Sequence, residues 1–451
     1  MFGVTGGFDI VIGNPPYVQL QKSIGVTVQD KRGRDYEMKL GDIYDREGFW
    51  TFAKTGDLYC LFYERGVKLL KSGGHLCFIT SNKWMRTGYG EKLRSFFVTE
   101  TNPEILIDFG DVQVFESATV DTNILLLSKG VNCGKTMATT IQKNLLTCSF
   151  NLSDFVQQNA SNVDFSSMGS NSWVILSPIE LSIKKKIEAV GVPLKDWDIN
   201  IYRGVLTGYN EAFIISTEKR NEILSNCQSE DERQRTEELI RPILRGRDIK
   251  RYGYEWADLW LIATFPSRHY DIELYPAVKD YLLSFGMERL EQTGKEYIVH
   301  GEKIKARKKT NNKWFETQDS ISYWDDFFKP KIAWGNLNLS GTYSFVPAGV
   351  FINAPSTFIS TSKQSILHIL NSKLADFYIR SLGVTRNGGY FEYKPMFVDK
   401  LPIPPNHINF KELEEISNYP SDIEERRIEN LIYSIYGLSE AEIRYLEKDK
   451  S

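Results

Sequence analysis

The sequence predicts an α/β fold: a doubly wound sheet in the first part of the chain, followed by a domain of mixed strands and helices. Two observations support this prediction. Short apolar strands alternate with helical segments up to about residue 127, which is typical of a doubly wound sheet. Residues 151–172 are then rich in Ser, Asn and Gln, and the chain beyond them is aromatic and locally basic. We therefore expect a first domain over residues 1–150 and a linker over 151–172.

The elements of the first domain follow from spacing and composition. The apolar run at residues 8–12 predicts a buried strand. Leucines and aromatic residues at helical spacing predict a helix over 57–70, which the Lys-Ser-Gly-Gly run after it ends. Between these two elements, the polar region from about 21 to 55 predicts a long functional loop over the strand ends. The other expected elements are strands at 75–80, 105–109 and 122–127 and a helix at 91–98.

The second domain is predicted over residues 173–404, and a helical tail over 405–451. Two helices are expected in the tail, at 423–436 and 439–447. Ser439 and Glu442 have the spacing of a capping box, in which each side chain accepts a hydrogen bond from the backbone N–H of the other residue. A chain of 451 residues is long enough for two to three domains.

Composition argues against several classes of protein. The formal net charge is −3, so a surface for nucleic acid would have to be a local basic patch. The five cysteines include no C-x-x-C pair and the five histidines no H-E-x-x-H. These absences argue against a metal site and favour a reducing cytosol. No stretch is long and apolar enough for a membrane span, so no membrane partner is expected.

The most informative feature is the run Asn14-Pro15-Pro16-Tyr17, directly after the first predicted strand. Open α/β sheets place their sites at the carboxyl ends of strands. An amide, two prolines that fix the backbone and a flat ring suit a planar hydrogen-bonding group such as a nucleobase. The Asn14 side-chain oxygen and the Pro15 carbonyl would accept the two hydrogens of an exocyclic amine, and Tyr17 would stack on a base flipped out of a duplex. The alternative is an ordinary turn, because Asn and Pro are turn residues.

Four further blocks follow in order, at residues 57–63, 73–84, 90–94 and 108–120. With the tetrapeptide they resemble the gamma group of adenine-N6 DNA methyltransferases, in the TaqI-like branch that includes fused type II restriction–modification enzymes. The resemblance implies a Rossmann-like methyltransferase sheet, Asn14, Pro15 and Tyr17 as catalytic residues, and Phe115 as the second ring against the flipped adenine. The alternative for Phe115 is a core residue at a turn. Asp57 is either the N-cap of its helix or part of the cofactor site.

Four blocks of the second domain, at residues 201–213, 240–252, 329–334 and 370–374, resemble the TaqI-like C-terminal specificity domain, which reads the DNA target. The resemblance implies an α+β target-recognition domain and double-stranded DNA as a partner. Two basic clusters agree with it, because Lys and Arg neutralise phosphates. A solvated surface is the alternative for each cluster. The expected DNA-binding residues are Arg241, Arg245, Arg247, Lys250, Arg251, Lys308 and Lys309.

The resemblance also implies S-adenosylmethionine as the methyl donor. In this family most of the donor's pocket lies on strands that precede the catalytic motif, and only residues 1–7 precede the catalytic strand here. We therefore expect an incomplete sheet and a chain that is inactive alone. A missing N-terminal methyltransferase or nuclease segment would be its partner. The family further implies a prokaryotic cytoplasm as the location, with the nucleoid as the place of action.

The expected function is the methyltransferase portion of a restriction–modification system, which transfers a methyl group to the N6 atom of adenine at a specific DNA site. The alternative is a non-catalytic DNA sequence-recognition module that works with another chain, and the missing cofactor strands favour it. Methylation of RNA or of a protein amide is a third interpretation, because a related tetrapeptide serves glutamine methylation. The specificity-type domain argues for DNA instead.

Overall fold

In the computed structural model the chain divides into two compact units, residues 1–182 and 183–451, and each is described by itself. None of the helices within the described residues combines the length and the apolar character needed to cross a lipid bilayer. The structure describes residues 6–22, 25–29, 32–110, 112–115, 120–141, 151–299, 301–382, 385–386, 390–405 and 410–448.

The first unit is organised around a six-stranded mixed sheet with the order β1-β4-β6-β5-β7-β8. Its strands and helices confirm the predicted α/β fold class, with shifted ends. In chain order they are β1 (Phe8–Gly13), β2 (Gly25–Gln29), β3 (Asp35–Lys39), α1 (Leu40–Arg46), α2 (Tyr59–Leu69), β4 (Leu70–Ser81), α3 (Glu91–Glu100), β5 (Thr101–Asp108), β6 (Thr122–Lys129), β7 (Thr136–Thr140), α4 (Leu152–Asn159) and β8 (Ser161–Val163).

The core of the first unit is aromatic. Tyr63 of α2 lies edge-on to Phe97 of α3, with ring centroids 4.9 Å apart, and Phe97 in turn contacts Trp84 after β4. Helix α2 can approach β4 closely because Gly66 has no side chain, and a Cβ there would meet Leu76 at 2.5 Å. This packing holds α2 against the strands that carry the tetrapeptide and its neighbouring loop.

The region predicted as a long loop, residues 21–55, contains regular structure. Strands β2 and β3 form an antiparallel hairpin, and α1 follows directly. Most of the hairpin side chains are exposed, among them Val26 and Tyr36. A two-stranded hairpin with few buried apolar residues gives no clear hydrophobic alternation, so the sequence pattern did not indicate it.

The segment predicted as a linker, residues 151–172, also differs from its prediction. Helix α4 begins at an N-cap, Asn151, whose side chain accepts from the backbone N–H groups of Ser153 and Asp154. Strand β8 pairs with β7 at the edge of the sheet, and Phe165 stacks on Trp173 at 4.4 Å. The Ser, Asn and Gln residues are explained by the helix cap at Asn151, the exposed side of α4, which carries Gln157 and Gln158, and the exposed edge strand β8.

The second unit contains the following elements in chain order: α5 (Pro178–Val190), β9 (Val192–Pro193), β10 (Ile201–Arg203), α6 (Asn210–Phe213), β11 (Ile214–Ser216), α7 (Thr217–Ser225), α8 (Glu230–Leu239), β12 (Ile240–Leu244), β13 (Ile249–Lys250), β14 (Gly253–Tyr254), β15 (Leu259–Ile262), α9 (Pro276–Leu283), α10 (Met287–Leu290), β16 (Glu296–Val299), β17 (Glu302–Lys305), β18 (Lys331–Trp334), β19 (Leu337–Asn338), β20 (Tyr343–Val346), β21 (Phe351–Ile352), β22 (Thr357–Ser360), α11 (Gln364–Leu370), α12 (Lys373–Leu382), β23 (Thr385–Arg386), β24 (Tyr390–Glu392), α13 (Pro395–Val398), β25 (Pro402–Ile403), α14 (Phe410–Glu415), α15 (Asp422–Ile435) and α16 (Glu440–Lys448).

Two four-stranded sheets form the centre of this unit, with the orders β10-β22-β18-β20 and β11-β15-β12-β21. Their mixture with short helices confirms the predicted α+β character. Lys331, in the block at 329–334, is fully buried at the start of β18. Its ammonium group donates to the carbonyl oxygens of Lys329 and Pro347, and burial lowers its pKa to about 8. This lysine is therefore a structural residue of the sheet.

The tail contains the two helices predicted for it, α15 and α16, after the shorter α14. The capping box at the start of α16 is confirmed. Glu442 accepts from the backbone N–H of Ser439 at 2.7 Å, and the Ser439 hydroxyl accepts from the backbone N–H of Glu442 at 3.5 Å.

Candidate active site

Four strands of the first unit end at the same edge of the sheet. Strands β1 and β4 are parallel, β6 is antiparallel to both β4 and β5, and β7 is parallel to β5. The carboxyl ends of β1, β4, β5 and β7 therefore lie along one edge, which is where open α/β sheets place their sites. The tetrapeptide follows β1, and the segment that contains Phe115 follows β5.

Asn14 and Tyr17 are hydrogen-bonded to each other within the tetrapeptide. The Tyr17 hydroxyl donates to Asn14 Oδ1 at 2.7 Å and lies 3.4 Å from the carbonyl oxygen of Ile79 on β4. Burial raises the pKa of Tyr17, so this hydroxyl is a neutral donor at neutral pH. Asn14 is an exposed residue, whereas Pro15 is buried. The Asn14 amide oxygen, which is predicted to accept a hydrogen bond from a substrate amine, thus belongs to an exposed side chain. A substrate amine could replace the Tyr17 hydroxyl as the donor to this oxygen.

The two rings predicted to stack on a base lie next to each other. The ring centroids of Tyr17 and Phe115 are 6.4 Å apart, with an angle of 49° between the ring planes. A base between two parallel rings needs about 7 Å between their planes, which is two contact distances. The two rings would therefore have to become parallel and move apart to admit a base. Ala118 and Thr119, in the block at 108–120, lie outside the described residues.

Backbone hydrogen bonds fix the chain that leaves the tetrapeptide. The N–H of Leu20 donates to the Gly56 carbonyl at 2.9 Å, and the N–H of Leu58 donates to the Val18 carbonyl at 2.8 Å. This short ladder ties the residues after Tyr17 to the segment that leads into α2. The chain that leaves the tetrapeptide is therefore held in place by its attachment to α2, a well-packed helix.

A chain of side chains also connects the Tyr17 ring to a buried carboxylate. Tyr17 lies edge-on to Tyr59, with ring centroids 6.4 Å apart. The hydroxyl groups of Tyr59 and Tyr89 are 2.9 Å apart, and the Tyr89 hydroxyl donates to Asp57 Oδ2 at 2.9 Å. Asp57 does not cap α2 with its side chain, because the N-cap is Leu58. Its carboxylate instead anchors the two tyrosines beneath Tyr17.

Replacing Tyr89 with Phe should lower the free energy of unfolding by about 1–3 kcal/mol, because the buried Asp57 carboxylate would lose a hydrogen-bond donor. The midpoint of denaturant unfolding measures this change. The matched control is Tyr36→Phe, which removes a hydroxyl from an exposed side chain of the hairpin. That control should stay within about 0.5 kcal/mol of the parent chain. Equal stability of the two variants would contradict the structural role of the tyrosine pair.

A second cluster, which the sequence did not indicate, joins the ends of β4 and β5. Asn82 Nδ2 donates to Asp108 Oδ1 at 2.8 Å, and the N–H of Gly110 donates to the same oxygen at 3.0 Å. A guanidinium nitrogen of Arg86 lies 3.8 Å from Asp108 Oδ2. Asp108 thereby shapes the turn after β5 that leads to Phe115. The acidic residue at the end of an apolar strand was the available signal, but its partner is 26 residues away in the chain.

Two observations concern the predicted cofactor residue and the strand before Asn14. Asp57, the predicted cofactor residue, is buried and bonded to Tyr89. Strand β1 is at the edge of the sheet, and within the described residues only β4 pairs with it. Ile10 and Ile12 of β1 are 68% and 78% exposed, although strands in parallel pairs are normally covered on both faces. Ile10 and Ile12 therefore give β1 an exposed apolar face next to the tetrapeptide.

Arg241 is partly buried beside Phe328. The other predicted DNA-binding residues of the second unit fall into two groups. Arg245 is bound by Asp248, with two bonds of 2.8 and 3.0 Å from its guanidinium group, which raise its pKa. Arg251 forms an ion pair with Glu425 and donates to the Asn371 carbonyl at 3.1 Å. Both would have to exchange these partners to bind a phosphate, and DNA contact by either stays a prediction.

The other predicted residues are more accessible. Arg247, Lys250, Lys308 and Lys309 are exposed, and Lys250 donates to the Arg247 carbonyl at 2.9 Å. Their neighbour Arg307 is buried and donates to four backbone carbonyl groups. Arg307 therefore stabilises the fold, whereas DNA contact by the exposed residues stays a prediction.

Comparison with known proteins agrees with both halves of the structure. Residues 1–115 match the family of the Eco57I restriction-modification methylase, and residues 241–403 match the TaqI-like C-terminal specificity domain. The chain is 24% identical to the type II methyltransferase M.BstVI of Geobacillus stearothermophilus, over 98% of this chain and 75% of that protein. It is 23% identical to the type II methyltransferase M.XhoI of Xanthomonas vasicola, over 96% and 76%.

A solved structure shares the fold. The type IIL restriction-modification enzyme MmeI, determined in complex with DNA, aligns with 97% of this chain at a TM-score of 0.56 and 13% identity. The chain spans 56% of the length of that enzyme. The chain thus combines a methylase segment of the Eco57I restriction-modification type with a TaqI-like C-terminal specificity domain.

Proposed function

We propose that this chain is the base-binding and DNA-recognising portion of a restriction–modification methyltransferase that acts on the exocyclic amine of adenine, with S-adenosylmethionine as the methyl donor. The observation that supports this most is the hydrogen-bonded pair Asn14–Tyr17, at the carboxyl end of β1 and beside Phe115. The type II methyltransferases among its relatives support the reaction class.

The residues present suit the demands of amine methylation. The lone pair of an exocyclic amine is delocalised into the base, so the nitrogen becomes a nucleophile only when its hydrogens are held out of the conjugated plane. Asn14 Oδ1 and the Pro15 carbonyl oxygen would accept these two hydrogens. The target atom is inaccessible within a duplex, and the adenine must be flipped out to reach them. Tyr17 and Phe115 would replace the stacking that the flipped base loses, which is worth about 1–3 kcal/mol per ring.

The polypeptide that completes the site would lie on the open side of β1. Its apolar side chains Ile10 and Ile12 are exposed, and no strand of the described residues pairs with its outer edge, whose backbone groups are therefore available to another strand. We infer that a strand of the donor-binding half pairs there, from the same protein or from a second chain.

The same open edge favours a second candidate function, a DNA-recognition module that performs no chemistry itself. One experiment distinguishes the two functions. The chain is supplied with the polypeptide that covers β1, a labelled methyl donor and, in separate reactions, duplex DNA or RNA. The methyltransferase portion should give labelled duplex DNA and no labelled RNA. Binding of duplex DNA without any label would favour the recognition module.

A further inference from the structure

Two arginines from distant parts of the second unit lie over rings of one short aromatic segment, the 3-10 helix Trp324–Phe328, and a third is joined through its backbone to the residue before it. The guanidinium carbon of Arg268 lies 5.2 Å from the Trp324 ring centroid. That of Arg241 lies 5.4 Å from the ring centroid of Phe328. Arg203 adjoins the start of the same segment, because the Tyr323 hydroxyl donates to its carbonyl oxygen at 2.7 Å. The side chains of Trp324 and Phe328 are themselves in contact, at 5.1 Å between ring centroids.

The arginines are close enough to act on a common neighbour. Burial raises the pKa of Tyr270, and the charges of both Arg268 and Arg241 oppose this rise. The side chains of Arg241 and Arg268 therefore border one surface, and the aromatic segment begins next to Arg203. We call Arg203, Arg241 and Arg268, with Trp324 and Phe328, the arginine–aromatic surface.

No arginine of this surface forms an ion pair of 4.0 Å or less with a carboxylate among the described residues, unlike Arg245 and Arg251. Arg241 Nε is buried, and within the described part of the chain it has no acceptor. Arg241 is therefore positioned by its contact with the Phe328 ring rather than by an acceptor for Nε. Asp326, an acidic residue of the segment, is bound by Lys329 at 2.9 Å.

We propose that the arginine–aromatic surface binds phosphate groups of the DNA backbone. An arginine that stacks its flat face on a ring keeps its N–H edge available, and that edge matches the oxygens of a phosphate. The rings also hold the guanidinium groups in place before DNA arrives, which reduces the entropy lost on binding. This inference rests on the proposed function, because the phosphates would be those of the duplex that the specificity domain recognises.

The basic clusters identified in the sequence did not reveal the arginine–aromatic surface. The runs at 241–251 and 303–309 concentrate positive charge, but Arg245, Arg251 and Arg307 have intramolecular partners. Arg203 and Arg268 are isolated basic residues in the sequence, and both are exposed. Phosphate contact would thus involve dispersed arginines that folding brings together, with only Arg241 shared with the sequence-based prediction.

The test is the salt dependence of DNA binding by the full 451-residue chain. Association with a short fluorescent duplex is measured over a series of salt concentrations for the parent chain and for Arg203→Ala and Arg268→Ala. Each lost phosphate contact should reduce the slope of log K against log[salt] by about 0.9. Arg268→Lys should recover most of the slope, because it keeps the charge. Arg444→Ala is the matched control, since it removes an exposed arginine of the tail that pairs with Glu440.

The following outcomes decide the inference. Reduced slopes for both alanine variants, on duplexes of unrelated sequence, and an unchanged slope for the control would establish it. Unchanged slopes would overturn it, and so would a loss confined to one DNA sequence, which indicates base reading. If the variants bind as the parent does while the completed enzyme still methylates DNA, the surface is excluded and the proposed function stands. A parent chain that binds no duplex DNA, even with β1 covered, would overturn both.

Discussion

Asn14→Ala should reduce methyl transfer by the completed enzyme by about 10²–10³-fold, the usual loss when one preorganised polar contact to a reacting group is removed. The Asn14 side-chain oxygen now accepts from the Tyr17 hydroxyl at 2.7 Å. In the complex it would accept from the adenine amine instead. The alanine side chain offers no acceptor, so the nitrogen would keep its conjugation with the ring and react slowly.

The effect of Asn14→Ala should be on kcat rather than on DNA binding, because the stacking rings Tyr17 and Phe115 are untouched. Rates of methyl incorporation into duplex DNA measure the first quantity. The fluorescence of 2-aminopurine at the target position measures base flipping. Asn14→Asp is the matched control, since it keeps an oxygen acceptor at the same place and should retain part of the activity. Unimpaired transfer by Asn14→Ala would exclude Asn14 from the site.

Ile12→Lys should prevent the polypeptide that completes the site from associating with this chain. Ile12 is 78% exposed on the edge strand β1. Burying an isoleucine contributes about 1.5–3 kcal/mol, and a lysine there would in addition bring a charge into the contact. A loss of about 3 kcal/mol corresponds to about 100-fold weaker association. Co-purification of the two polypeptides measures the loss, and methyl transfer should fall in parallel.

The matched control for Ile12→Lys is Val131→Lys. Val131 is 92% exposed between β6 and β7, so it places the same charge on the first unit away from β1. This control should associate as the parent chain does. Equal association of the Ile12→Lys variant would show that the donor-binding half does not pair with the edge of β1.

Strong apolar periodicity made the central elements of the first unit predictable. The strands at residues 75–80 and 122–127 and the helix at 57–70 are present because their side chains form one core. The strand at residues 8–12 is also present and its Val11 packs on this core, but Ile10 and Ile12 are exposed, so the prediction that this strand is buried was wrong. The hairpin β2–β3 and the edge strand β8 were not predictable in this way, since few of their residues are buried. An exposed strand lacks the alternation that reveals a half-buried one.

In the candidate site too, local features were predictable from the sequence and long-range contacts were not. The tetrapeptide is a contiguous signal, and the pairing of Arg245 with Asp248 spans only three positions. The contact between Asp57 and Tyr89 joins residues 32 positions apart, and Arg251 meets its partner Glu425 across 174 positions. Such contacts depend on the tertiary fold, which the spacing of residues along the sequence does not reveal. The sequence therefore indicated Asn14 and Tyr17 but not the side chains that hold them.

The most direct test of the central proposal is the identity of the methylated nucleoside. Duplex DNA is treated with the completed enzyme and a methyl donor and then digested to nucleosides for mass spectrometry. We predict N6-methyladenine, formed by the parent enzyme and greatly reduced with Asn14→Ala. N4-methylcytosine in its place, or N6-methyladenine formed equally well without the Asn14 side chain, would contradict the proposal that Asn14 and its neighbours bind the target adenine.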